Sequence, residues 1–112
     1  MTTVDALALR YVVLRHDGIP DPHFDLMFET SPGSMLATWR SPQWPVAADS
    51  LLTPLPDHRA DYLTYEGPVS GGRGTVRRVR QGFHRIRHDT TPDVLVVALD
   101  DAAFVVRLPR RA

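Results

Sequence analysis

Histidine and aspartate recur at short range in the first quarter of this chain. His16 closes a β-branched and aromatic run that begins at Tyr11, and His23 and Asp25 then alternate with bulky apolar residues. His58 follows Asp57 in a distant, proline-flanked segment. In an extended chain residues two apart share a face, so His23, Asp25, Met27 and Glu29 fall on one side of a strand. Phe24, Leu26 and Phe28 fall on the other, and that aromatic side is the candidate core. His23 and Asp25 then lie about 6 to 7 Å apart along the backbone, close enough to address one ligand, with His16 across the intervening loop. Imidazole plus carboxylate suits manganese, iron(II) or zinc, and such a set with open positions can hold water or a phosphoryl oxygen. Taken singly, each histidine has the more ordinary reading of a surface or hydrogen-bonded structural residue. Asp25 resists it, because aspartate is depleted in strands and costly when buried unpaired.

Other chemistries are excluded or weakly supported. With no cysteine there is no disulfide, no thiolate metal site and no cysteine nucleophile. Gly67 to Gly74 is glycine-rich and could bring backbone amides to an anion, yet a phosphate-binding loop needs a lysine and the chain has none. A hairpin turn is the simpler reading. Ser70 has no triad around it. The net charge is zero, which argues against non-specific clamping of long duplexes, although no acid stands between Glu66 and Asp89 to offset six arginines there. That segment is either a solvated strand face or a phosphate-contacting surface.

The elements that must position these residues are short strands. The 112 residues fit a single domain over residues 1–112, and ten prolines and seven glycines interrupt nearly every window long enough for a helix. Strands are expected at Tyr11 to His16, His23 to Glu29, Met35 to Arg40, Tyr62 to Tyr65, Gly74 to Arg80, Phe83 to His88, Val94 to Leu99 and Ala103 to Leu108. One helical turn is expected in Ala47 to Leu52, stopped by Pro54 and Pro56, and a frayed end from Pro109. This is an all-β fold: a small closed or partly open antiparallel β-barrel of about eight strands with short helical turns. No uncharged run reaches the length of a membrane span, and Met1 to Leu9 lacks the features of a secretory signal, so a cytoplasmic location is expected.

Two segments together resemble the 3′-phosphoesterase domain of bacterial DNA ligase D. The first is the run from Tyr11 to Asp17, ending His-Asp, followed by His-Phe-Asp-Leu-Met-Phe-Glu from His23 to Glu29. The second is Asp57-His58 with Tyr62 four residues on, leading into Tyr65-Glu66-Gly67 and a glycine-rich turn ending at Gly74. Trp39 with Pro42 matches that family's tryptophan-and-proline strand end. The likeness extends over roughly residues 11 to 108.

The resemblance implies a β-barrel with a groove holding a divalent metal, most often Mn2+, with Zn2+ or another transition metal as alternatives. It implies His16, Asp25 and His58 as metal ligands, and His23 and Tyr62 as the catalytic residues that contact or polarise the reacting phosphate. The implied reaction removes a 3′-terminal ribonucleotide, a 3′-phosphate or both from a primer-template or nicked duplex, in DNA repair, with a DNA ligase or polymerase acting in trans. The family has cationic or polar residues where this chain has Met27, Gln43, Ser50 and Pro56; Arg40, Arg59, Arg73 and Arg78 are the candidate phosphate contacts that could replace them. Two other readings follow from the same residues. One is a catalytically impaired homologue that binds DNA ends or a repair partner. The other is a two-histidine, one-carboxylate iron oxygenase on a small barrel.

Overall fold

The segment from Leu9 to Glu29 folds as the expected hairpin. Strand β1 (Leu9–Asp17) pairs antiparallel with β2 (His23–Glu29), Tyr11 facing Phe28 at one end and His16 facing His23 at the other. The turn formers between Asp17 and His23 supply the reversal, with Gly18 in the left-handed region. The structure is a computed structural model and describes residues 8–47 and 50–110.

Six further strands complete one curled antiparallel sheet, a half-barrel. They are β3 (Leu36–Ser41), β4 (Thr53–His58), β5 (Gly67–Pro68), β6 (Thr75–Ile86), β7 (Val94–Leu99) and β8 (Phe104–Pro109). The sheet order is β4-β3-β2-β1-β6-β7-β8, with the short β5 added on β6. Its two ends approach each other where Leu51 bridges Arg107 and where the Trp39 indole donates to the Pro109 carbonyl at 2.7 Å. Arg110 donates its amide to the Asp93 carbonyl, so the chain stays tied beyond Pro109 rather than fraying there. Among the described residues no helix is long and apolar enough to cross a membrane.

Three expected elements differ. Tyr62 to Tyr65 is not a strand: Ala60–Leu63 forms a 3-10 helix, its Asp61 carbonyl accepting from the Thr64 and Tyr65 amides. These local bonds, together with burial of Leu63, outweigh the β propensity of the tyrosines. The two strands expected on either side of Gly82 are one, β6, which crosses it unbroken. Finally, β4 forms despite Pro54 and Pro56, because it is an edge strand and its outer side needs no amide donors. The helical turn expected in Ala47 to Leu52 falls partly on residues 48 and 49, outside the described ones; there the Ser50 amide closes on the Ala47 carbonyl and Leu51 enters the bridge to β8.

Both faces of β1 and β2 are buried. Tyr11, Val13, Leu26, Phe28 and Trp39 pack inside the curl against Val97, Leu99, Val106 and Leu108. On the opposite face Val12, Leu14, Met27, Leu36 and Val76 pack beneath Leu63 of the 3-10 helix, with Tyr62 and Val69 at the margin. The aromatic side of β2 is therefore core, as expected at Leu26 and Phe28, but the side carrying His23 and Asp25 is no less enclosed.

Candidate metal centre

Register assembles the site. His16 lies directly opposite His23 across the hairpin, while Asp25 lies between Leu14 on one neighbour and Arg40 on the other. Directly opposed residues share a face, so His16, His23, Asp25 and Arg40 all project from the second face, at the end of β1 and the start of β2. His23 and Asp25 are about 5% and 4% exposed.

One ligand atom from each of His16, His23 and Asp25 lies within 4.8 Å of the others, an arrangement that could hold a metal ion. Asp25 Oδ2 is 3.4 Å from His23 Nε2 and 4.0 Å from His16 Nδ1. The other nitrogen of each ring meets the backbone. His23 Nδ1 is 2.7 Å from the Asp21 carbonyl and His16 Nε2 is 2.6 Å from the Arg73 carbonyl. A carbonyl only accepts, so these nitrogens hold protons, and His23 Nε2 and His16 Nδ1 are the ring nitrogens turned toward the carboxylate. Donation of the far ring nitrogen to a backbone carbonyl is also the usual way a ligating histidine is oriented.

Unpartnered atoms point to the same spot. Among the described residues, four buried side-chain polar atoms have no hydrogen-bond partner: His23 Nε2, Asp25 Oδ1, Arg40 Nε and His84 Nδ1. Three of the four meet here, with Arg40 Nε 3.8 Å from Asp25 Oδ1. Buried polar atoms are nearly always satisfied, and an ion or ordered water at this point would satisfy these. The donor set of two imidazoles and a carboxylate fits a divalent transition cation.

The third member of the cluster is His23, where the resemblance implied His58. His58 ends β4 opposite Leu36, and Leu36 in turn faces Glu29, so it sits at the far end of β2 from His23. Its Nδ1 is 2.9 Å from the Pro56 carbonyl and its ring meets Tyr62 edge-on, centroids 5.8 Å apart. His58 and Tyr62 form a second pair beside the apolar patch that Met27 and Leu36 share.

The candidate phosphate contacts divide. Arg40 adjoins Asp25, and Arg78 lies on the same face, opposite Leu14 on β6, with its guanidinium 3.9 Å from Glu66. The Arg73 side chain folds back onto Ser70. Arg59 is exposed and only precedes the 3-10 helix. Met27 is sealed in the apolar patch and offers no polar atom to the site.

Sequence reasoning missed two contributors, both acting through backbone: the carbonyls of Asp21 and Arg73. The glycine-rich segment is a hairpin turn whose carbonyl, rather than its amides, serves the site. Gly74 makes this possible. A Cβ there would stand 2.1 Å from the Asp17 carbonyl oxygen, so only glycine lets the turn approach the end of β1 and seat Arg73 against His16. A glycine following a solvent-exposed arginine carries no such signal in sequence.

Compared with models of known protein families and with curated proteins, the chain gives no match.

Proposed function

We propose that the chain is a metal-dependent phosphoesterase acting on 3′ ends of nucleic acid, removing a terminal ribonucleotide, a 3′-phosphate or both, with Mn2+ as the working ion and Zn2+ as a substitute. The observation that carries the reading is the convergence of His16, His23 and Asp25 on a point where two imidazole nitrogens meet a buried carboxylate. The choice of a phosphate substrate is supported by Arg40, whose unpartnered Nε adjoins that point. The choice of a nucleic-acid 3′ end rests on the resemblance carried by Tyr11 to Asp17, His23 to Glu29 and Asp57 to Tyr62.

A divalent cation held by His16, His23 and Asp25 would polarise a phosphoryl oxygen and lower the pKa of a bound water. The chain's own residues do the rest. Asp25 supplies the one negative charge among the three donors, leaving the loaded site positive and suited to an oxyanion. Arg40 meets that oxyanion with a guanidinium edge, a charge-assisted bond stronger than a neutral one. His58 and Tyr62 pair at the far end of β2 from the cluster and take no part at the reacting phosphate.

The test is incubation with Mn2+ and a primer-template or nicked duplex ending in one ribonucleotide or a 3′-phosphate. Conversion to a 3′-hydroxyl is expected, abolished by His16→Ala, His23→Ala or Asp25→Ala; unchanged ends at high protein concentration would contradict the proposal. One observation favours a second reading, a catalytically impaired module that binds DNA ends or a ligase or polymerase. The family's arginine position is a buried methionine, and Arg73 and Arg78 are engaged with Ser70 and Glu66. That reading expects binding to a nick that survives His16→Ala, with no turnover.

A further inference from the structure

The face that carries the metal cluster continues along β1 and β6 into a second region with a different composition. Six residues from His16 along β1, about 20 Å at the usual strand rise, Arg10 stands directly opposite Phe83 of β6. Phe83 is 55% exposed although it is a large aromatic residue in mid-strand. The two residues border an open depression of about 250 Å3, lined also by Leu63, Thr64 and Gln81. Arg85 follows on the same face of β6, and its register with Ala98 and Val105 extends the surface to β8, where Arg107 stands two residues beyond the partly exposed Val105.

Charge on this surface is one-sided. From Gln81 onward, no carboxylate projects from this face of β6, β7 or β8, and the Arg85 and Arg107 guanidinium groups have no ion-pair or hydrogen-bond partner among the described residues. The Arg10 guanidinium is 3.6 Å from Glu29, which also accepts from the Arg10 amide at 2.9 Å. A solvated face of an electrically neutral chain has no need to segregate arginines from acids around an exposed aromatic ring. A surface with two unpaired cations, Arg85 and Arg107, and a third, Arg10, loosely paired with Glu29, around a ring on which bases can stack has the composition of a single-strand nucleic-acid surface. An acidic protein partner would be met as well by the arginines alone and gives no reason for Phe83 to stand bare between Arg10 and Arg85.

We infer that this surface binds a single-stranded stretch of nucleic acid, with one base stacked on Phe83 over the depression and backbone phosphates on Arg10, Arg85 and Arg107. The inference rests on the reading above for the choice of nucleic acid as the anion, and deepens it by naming where the strand lies. The separation from His16 corresponds to roughly six stacked nucleotides at about 3.4 Å each, so on a primer-template the surface holds the unpaired template overhang, and on a free single strand the stretch about six nucleotides from the 3′ end.

Fluorescence anisotropy of a labelled single-stranded dodecamer, in chelator and in Mn2+, tests it. Phe83→Ala should weaken binding about tenfold, the scale of one lost base stack, and Phe83→Trp should restore it with quenching of the new indole. Arg85→Ala with Arg107→Ala should reduce the slope of log affinity against log salt by about 1.4, two single-strand phosphate contacts. Unchanged affinity in Phe83→Ala, an unchanged salt slope, or equal losses in binding to anionic vesicles or to a poly-glutamate peptide would overturn it. Chelator separates this surface from the centre: with no cation bound, the parent should still bind the dodecamer, and Phe83→Ala should lose about the same factor as in Mn2+. If turnover is found but Phe83→Ala leaves KM for the dodecamer unchanged, the surface is refuted and the centre stands.

Discussion

Tyr11 and His16 lie on one strand and face opposite ways, and each opens a polar cluster inside apolar surroundings. Around Tyr11, every group has found its partner. The Tyr11 hydroxyl donates to Asp100 at 2.8 Å, Arg80 reaches the same carboxylate at 2.7 Å and stacks over Phe104, and the Phe83 amide donates to the other Asp100 oxygen at 3.2 Å. Burial pushes the Asp100 carboxyl up, but the bonds from Arg80, Tyr11 and the Phe83 amide outweigh it and hold the group below its ordinary value. The Tyr11 phenol is pushed up to about 12, by burial first and then by Asp100. Around His16 the same kinds of group stand close without satisfying one another: His23 Nε2, Asp25 Oδ1 and Arg40 Nε are buried and unbonded. A saturated network holds strands together, whereas an unsaturated one leaves polar atoms able to take a ligand.

The contrast can be broken or sharpened by substitution, beginning with the largest effect. Asp25→Ala should abolish specific metal uptake and reduce phosphoesterase turnover at least a hundredfold, measured by metal content and by product termini. In chelator the ranking reverses. Asp25→Asn should cost less than about 1 kcal/mol in urea denaturation, because its carboxylate lacks hydrogen bonds to lose, whereas Asp100→Ala should cost about 2–3 kcal/mol, the scale of charged hydrogen bonds. If both cost the same, the distinction between the clusters fails. Saturating Mn2+ at about a hundred times Kd should stabilise the parent by about 2.7 kcal/mol, and chelator should reverse the gain. Gly82→Ala should cost about 1–3 kcal/mol, because a Cβ there would lie 1.9 Å from Asp100 Oδ1, and it should leave metal affinity unchanged.

The smallest effects are those of pH. Because Asp100 titrates below its ordinary value in the fold, its contribution is complete above about pH 4 and is lost as pH falls through the lowered value; Asp100→Asn should flatten that acid limb. His84 titrates below its ordinary value for the opposite reason, burial disfavouring the imidazolium despite the bond to the Glu29 carbonyl. The fold therefore prefers it neutral, and stability should decline as pH falls below about 6.5. A thermal melt series from pH 8 to pH 5 that stays flat would contradict this.

What the sequence disclosed followed period and polarity. Alternation in His23 to Glu29 and the turn formers after Asp17 announce the hairpin that brings His16 opposite His23, and an aspartate inside an apolar run announces a buried carboxylate. Three things could not be read. The family likeness implied His58 as a ligand, but strand register, which local sequence does not encode, sets His58 opposite Leu36 instead. The 3-10 helix at Ala60–Leu63 depends on burying Leu63 over the second face, a tertiary demand that overrides the tyrosines beside it. The carbonyls of Asp21 and Arg73 belong to the backbone, and residue type does not predict which of them will face a ring nitrogen.

Titration of chelator-stripped protein with Mn2+, followed by calorimetry, addresses the centre most directly. One equivalent should bind in the parent and in His58→Ala, and none in His16→Ala, His23→Ala or Asp25→Ala. Binding that persists without His23, or that vanishes without His58, would show that the cation is held elsewhere than at the end of the β1–β2 hairpin.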